Sequence, residues 1–428
     1  EEARLMALFL YIIRVSTMVV AAAGASALDY GSYYEVASQY YDYPPYRLEA
    51  RSGQRVMPPS LREALRSEAR AIPVIVACVK NVAAYVEEWI EFHRLAGFVA
   101  FYLCDDGSDD GTAAILESYA ERVTTYQCAP IGTSVVHRQE WFFDMVQLQI
   151  LDRVRFRDPS AATRVWAASI DGDEFLYASS SKRSVGHVLS QIPPEQGAVY
   201  VQWRTFGSSG IRRRSPGMVI ETFTRRASLD LGTLATYTRR VGSTFRERAH
   251  ENALWNHWGK MIHRLTVCRR WHCDRCLVPS SLEDPSKVAG YEVPSYEALR
   301  QNRTAAILAS FARADRDAPL RLHHYHVLSF SEYVDRHVNK TRLSGHTPRT
   351  ADDFNDRDYN DVLDTTAPDR FAKNIRRRMR RRRRRNSFGG AVKVVGSPPS
   401  PEKKKEPLVL PPNNNYLYGM VDDSLSIK

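Results

Sequence analysis

The chain of 428 residues holds only six cysteines, and they fall into two sets. Cys78, Cys104 and Cys128 each sit in or at the end of an apolar run that reads as a core strand, where buried free thiols are common. Cys268, Cys273 and Cys276 cluster with His272, and a four-ligand zinc site is conceivable there. Only one C-x-x-C is present and no second follows, so a local disulfide or plain packing fits equally well. No internal repeat is visible. Outside Ala7 to Leu28, no stretch is apolar for long enough to span a bilayer. Evenly spread charge is missing too. The formal net charge is +11, but Arg376 to Arg385 carries nine arginines, so the rest of the chain holds only +2. A body that is basic over its whole surface is therefore excluded.

The ends of the chain differ in composition from its middle. Ala7 to Leu28 is apolar apart from Arg14 and a few small polar residues, and it closes on Ala25-Ser26-Ala27, a small-residue pattern like a secretory cleavage site. The sequence does not open on Met. Residues 1–28 are thus expected to be a signal peptide or signal anchor, which would place the protein in the Golgi or ER membrane or the secretory lumen. The sequons at Asn302 and Asn339 do not settle the compartment. Residues 29–71, rich in Tyr and Pro, read as a stem or linker, with a short helix over 61–69. Residues 346–428 read as a basic low-complexity tail, expected to be mostly disordered.

Between these ends, strand and helix patterns alternate. Ile72 to Val79 is a short run rich in β-branched residues and reads as a buried strand. Over 83–96, Val86, Trp89, Ile90 and His93 share one helical face, and Gly97 follows as a C-terminal cap. Strands are expected over 98–104, 124–128 and 165–170. A helix capped by Asp110 follows the turn DDGSDDGT, and an amphipathic helix covers 140–154. Such alternation predicts an α/β fold with a mostly parallel central sheet, right-handed crossovers and flanking helices. Farther on, strands are expected over 198–206 and 217–226, and a helix over 331–340.

The central stretch is WAASIDGDEFLY, Trp166 to Tyr177. An apolar strand ends there in three carboxylates, Asp171, Asp173 and Glu174. Alternation along an extended chain puts Asp171 and Asp173 on one side, where two like charges repel unless a cation sits between them. A divalent metal with hard oxygen preference suits that position. Ligands of open α/β sheets bind outside the carboxyl ends of the strands. The alternation brings Lys80-Asn81 and Asp105-Asp106 to the same edge.

VKNVAAYVEEWIEFHRLAGF, YLCDDGSDDGT and WAASIDGDEFLY together resemble the GT-A-fold glycosyltransferases of the family 2 type, and more closely the branch that includes glycosyltransferase family 92. The resemblance continues through WRTFGSSG, VIETFTRR, GKMIHRL and LHHYHVLSFSEYV and covers residues 72–345. It implies a Rossmann-like GT-A domain that moves a sugar from a nucleotide-sugar donor, a UDP-sugar, to a hydroxyl acceptor such as a glycan, with inversion. It implies that Asp105 and Asp106 hold uridine and ribose and that Asp171 and Asp173 bind Mn²⁺ or Mg²⁺. His324 matches a family histidine and is a further metal or phosphate ligand in that reading. Lys80 and Asn81 match the family's Lys-Asn, but Val82 stands where an acidic residue is usual. Glu251 and Glu221 are candidates for the base that deprotonates the acceptor. Arg225, Arg226 and Lys260 are candidate diphosphate partners.

Two rivals remain. An apolar strand followed by D-x-D also opens haloacid-dehalogenase-type phosphatases, with Asp171 as nucleophile. In those, however, the motif begins the domain and a Thr or Ser follows closely. The other rival is a glycosyltransferase fold without catalysis, whose arginine-rich tail binds acidic surfaces.

Overall fold

The protein is described here from a computed structural model. It covers residues 50–128, 159–228, 259–265, 318–339 and 350–389 apart from a few single or paired positions, with residues 288–289 and parts of a helix between 139 and 154. Residues up to 382 form one unit, to which the contacts below belong.

The strands are β1 (Ile72–Val79), β2 (Ala100–Asp105), β3 (Val123–Gln127), β4 (Val165–Ser169), β5 (Glu174–Ala178), β6 (Ala198–Thr205), β7 (Arg225–Arg226), β8 (Gly259–Arg264), β9 (Val288–Ala289), β10 (Leu320–His324) and β11 (Val362–Leu363). The main sheet runs β3-β2-β1-β4-β8-β6-β10-β5, with β9 beside β6. Strands β3, β2, β1 and β4 pair in parallel, as the alternating pattern predicts. β8 is antiparallel to both β4 and β6, β10 is parallel to β6, and β5 is antiparallel to β10. The result is a mixed α/β fold with a curled, largely parallel central sheet, consistent with a Rossmann-like arrangement.

Both faces of the sheet are covered, which is why β1 is apolar without interruption. Ile75, Ala77 and Val79 pack with the Val86–Ala96 helix, while Ile72, Val74 and Val76 pack with Phe142, Phe143, Met145 and Val146. Alternation along the strand sends successive side chains to opposite layers. The Val86–Ala96 helix ends at Gly97, whose φ of 109° is left-handed, as a glycine cap requires. A Cβ at Gly97 would lie 2.9 Å from the Ser184 Cβ, so the close approach needs glycine as well.

His93 locks that helix to the sheet. Its Nδ1–H donates to the Trp89 carbonyl at 2.8 Å, and its Nε2 accepts the Leu176 backbone N–H at 3.0 Å. The pairing fixes one neutral tautomer, and burial lowers His93 to about 3. Trp89, fully buried, donates its indole N–H to the Glu174 carbonyl at 2.7 Å.

Several expectations need correction. Residues 50–66 are not merely a loose approach: Met57 and Leu61 are buried, and Arg51 pairs with Asp105 at 2.7 Å. The VIETF stretch is a helical turn, Val219–Thr222, followed by the two-residue β7, not a continuous strand. Residues 331–340 begin in the helix Phe330–Tyr333, capped by Ser329, and continue as a π-helix over Val334–Asn339.

The largest correction concerns the tail. Thr366–Gly389 is a 24-residue helix, preceded by a short helix at Asp353–Arg357 and by β11. Ala367, Phe371 and Ile375, one face at i, i+4, i+8, are buried. Phe371 meets Phe92 at 4.5 Å and Tyr177 at 5.6 Å between ring centres. Arg376 pairs with Glu221, and Arg382 lies 3.4 Å over the Tyr119 ring. Part of the arginine run is therefore built into the fold. Residues 1–49, which include the expected signal segment, and residues 390–428 lie outside the described residues. No helix among the described residues is long and apolar enough to cross a membrane.

Candidate functional site

The topology collects polar residues at one edge of the sheet. β1, β2 and β4 deliver their C-terminal ends there, followed by Lys80-Asn81, Asp105-Asp106 and the Asp171–Asp173 turn. β6 and β10 run parallel to β4 and end there with Trp203 and His324. The antiparallel β8 and β5 bring their N-terminal ends, with Lys260 and Glu174.

Asp171, Gly172 and Asp173 form the turn between β4 and β5, rather than a straight extension of β4. Glu174 ties the turn together. Its Oε2 accepts the Asp171 backbone N–H at 2.8 Å, and its own N–H donates to the Asp171 carbonyl at 3.1 Å. Burial pushes Glu174 well above the ordinary carboxylate range. Lys260 opposes this, while Asp171 and Asp173 add to it.

Each aspartate of the turn meets a cation. Asp171 is partly exposed; its Oδ2 accepts from Lys260 Nζ at 2.8 Å and its Oδ1 from Gln139 Nε2 at 3.4 Å. Asp173 is buried, and its Oδ2 pairs with Arg336 from the π-helix. Burial works against ionisation of Asp173, but Arg336 and then His324 outweigh it and hold the carboxyl below its usual range. Arg336 is a site residue that the sequence reading missed. It lies 163 positions from Asp173, and no local pattern distinguishes it from other arginines.

His324 stands on the other side of Asp173. Its Nε2 is 3.8 Å from Asp173 Oδ1, too long for a hydrogen bond. Its Nδ1 is buried and without a hydrogen-bond partner. Trp203 lies against the ring with centroids 4.3 Å apart. Burial lowers His324 to about 4, with Asp173 opposing, so the imidazole is neutral near pH 7, the form that binds metals. By residue type, Asp171, Asp173 and His324 suit a divalent cation of the Mn²⁺ type, but their ligand atoms are not all within 4.8 Å of one another in this arrangement, in which Lys260 and Arg336 hold the two carboxylates. The buried Glu174 Oε1, 3.9 Å from Lys260 and without a hydrogen bond, is a further unsatisfied oxygen in the same turn.

The neighbouring loops are joined to each other. Asn81, at a left-handed φ of 53°, donates its backbone N–H to Ser108 Oγ at 2.9 Å. Its side-chain oxygen accepts the Asp109 N–H at 2.9 Å. Asp110 accepts the N–H groups of Ala83 and Thr112, both at 3.0 Å. Asn81 thus shapes the loop. Lys80 reaches Asp106 at 3.8 Å. Asp105 is buried beneath Arg51 and accepts the Ser108 N–H at 3.0 Å, which makes it a support of the turn, with Asp106 the more exposed of the two.

Not every expected site residue joins this edge. Glu221 is held by Arg376, and no contact joins it to the acidic turn among the described residues. Arg226 pairs with Asp364 at 2.7 Å, and Arg225 donates to the Asn360 carbonyl at 3.2 Å. Both are thus engaged by the C-terminal segment. Glu251 and the Cys268, Cys273 and Cys276 cluster lie outside the described residues. Compared with known proteins, the chain matches no family model and no characterised protein.

Proposed function

We propose that the protein is a GT-A-type glycosyltransferase that transfers a sugar, with inversion, from a nucleotide-sugar donor of the UDP-sugar class to a hydroxyl acceptor such as a glycan. The observation that carries this reading is the convergence of Asp171, Asp173, His324 and Lys260 at the sheet edge that also holds the Lys80-Asn81 and Asp105-Asp106 loops.

In this reading, Asp171, Asp173 and His324 hold Mn²⁺ or Mg²⁺, which supplies neutralisation of the charge that develops on the departing nucleoside diphosphate. Glu174 keeps the turn in shape through the Asp171 N–H. Lys260 and Arg336, which pair with Asp171 and Asp173, take diphosphate oxygens in this reading. Asp106, which pairs with Lys80, accepts bonds from ribose hydroxyls in the same reading. The acceptor's proton needs a base; Glu251 retains that role as a proposal, while Glu221 is occupied by Arg376. A secretory-pathway location, expected from residues 7–28, is part of the same proposal.

One observation favours a metal-independent form of the same reaction. Asp171 and Asp173 already carry one protein cation each, so Lys260 and Arg336 could turn to the diphosphate and meet its charge unaided. Calorimetry of UDP binding with and without Mn²⁺ separates the two. The metal-dependent reading expects binding that requires Mn²⁺ and is largely lost in Asp173→Asn. UDP binding of equal strength without Mn²⁺ supports the metal-independent form. Silence towards UDP, GDP and CMP alike overturns the donor site.

A further inference from the structure

We propose that Cys78, Cys104 and Cys128 form, in the reduced protein, a binding site for one thiophilic metal ion of the Zn²⁺ or Cu⁺ class, and that the Cys104–Cys128 disulfide closes this site. The proposal stands on the placement of the cysteines and is independent of the glycosyltransferase reading.

The three cysteines are far apart in sequence but fall on one face of adjacent parallel strands. Cys78 of β1 is the register partner of Cys104 of β2, so their side chains share a face. Cys104 is in turn opposite Tyr126 of β3, and Cys128 lies two residues farther on, which returns it to the same side. The structure links Cys104 to Cys128, with a Cα–Cα separation of 5.3 Å. All three Sγ atoms lie within 4.8 Å of one another. Cys104 and Cys128 are buried in the apolar layer that includes Tyr102 and Tyr126, and Cys78 packs at its margin.

This is a sulfur-only set. Three thiolates about one tetrahedral ion, with metal–sulfur bonds of about 2.3 Å, stand roughly 3.8 Å apart. A small relaxation of the reduced cluster brings its sulfurs to that spacing. Partial exposure of Cys78 leaves an approach for the ion and room for a fourth ligand such as water. Softness separates this site from the acidic turn, because thiolates select Zn²⁺ or Cu⁺ whereas carboxylates suit Mn²⁺ and Mg²⁺. Its position gives it leverage, since Cys78 lies two residues before Lys80 and Cys104 directly precedes Asp105.

Opening the site takes two electrons. A phosphine reductant cleaves the Cys104–Cys128 bond, takes oxygen from water to become the phosphine oxide, and leaves two thiols. Metal binding then displaces up to three thiol protons to solvent.

The test is a Cd²⁺ titration of the full chain, oxidised and phosphine-reduced, followed by thiolate-to-metal charge-transfer absorption in the ultraviolet. The expected result is a band that saturates at one Cd²⁺ per chain in the reduced protein and is absent in the oxidised one. Cys78→Ser and Cys128→Ser should each weaken binding more than about tenfold, and Asp173→Asn should leave it unchanged. Where Cys78→Ser fails to fold, Cys128→Ser at the strand end decides. No band in the reduced wild type overturns the proposal. So does a band that survives both substitutions but disappears in Cys273→Ser, because the metal would then sit in the other cysteine cluster.

Discussion

Replacing His93 by Leu should change how stability depends on pH, and the size of the change follows from two hydrogen bonds. In the folded protein, His93 is neutral, with Nδ1–H donating to Trp89 and Nε2 accepting from Leu176. A proton on Nε2 would face the Leu176 N–H, and burial lowers the group to about 3. An unfolded histidine titrates near about 6.5. The unfolded chain therefore binds a proton that the folded one refuses, so this contribution to stability is complete above about 6.5 and is lost as pH falls towards 3. At pH 5 the loss is about 1.36 × 1.5, or about 2 kcal/mol. His93→Leu leaves the buried Leu176 N–H without an acceptor, at a cost of about 1–3 kcal/mol at pH 7.5. It also removes the titration, so the gap between variant and wild type should shrink by about 2 kcal/mol at pH 5. Urea unfolding followed by tryptophan fluorescence reads both numbers. A gap that stays constant from pH 7.5 to 5 would refute the reasoning, because it would mean that His93 charges as readily in the fold as outside it.

Three further expectations follow from packing and burial. Burial pushes Glu88 up to about 7 against two backbone N–H bonds, from Val219 and Ile220. Its contribution has the opposite sign to that of His93: it is complete below about 4.5 and is lost as pH rises through 7, so Glu88→Gln should gain stability relative to wild type between pH 5 and 8 in the same unfolding assay, and a gap independent of pH would disprove it. Phe371→Ala, in a helix that the sequence presents as tail, should cost about 3–5 kcal/mol in thermal or urea unfolding, and an unchanged midpoint would show that the helix does not stabilise the domain. Gly207→Ala would put a Cβ 2.2 Å from the Tyr359 carbonyl oxygen, so it should lower the melting temperature by several degrees, whereas an unaltered melt would mean that the 359–360 segment moves aside freely.

The parts of the fold that were legible in the sequence are those where one physical signal acts alone. β1 is a β-branched run covered on both faces, and its limits, Ile72–Val79, are the ones expected. The Val86–Ala96 helix has a clear apolar face and a glycine cap. The acidic turn was legible because three carboxylates after an apolar strand need a reason to be there.

Where signals overlap, the pattern is hidden. β5 follows the acidic turn directly and is buried along its whole length, so EFLYA shows no alternation. The four-residue helix at Val219–Thr222 is too short for periodicity to separate it from a strand. In the C-terminal helix, the run of nine arginines from Arg376 to Arg385 masks the face formed by Ala367, Phe371 and Ile375. The partnerships Arg336–Asp173, Arg51–Asp105 and Arg376–Glu221 join positions far apart in the chain, and a single sequence gives no sign of them.

The central proposal is that the Asp171–Asp173 turn and His324 bind a metal that carries the donor diphosphate. Crystals grown with MnCl₂ and UDP, measured on both sides of the manganese absorption edge, test it directly. The account predicts one strong anomalous peak within bonding distance of the Asp171 and Asp173 carboxylates and of His324 Nε2, with diphosphate density beside it and Lys260 or Arg336 turned to its oxygens. Density for UDP without a manganese peak, or manganese bound anywhere but at this turn, would contradict it.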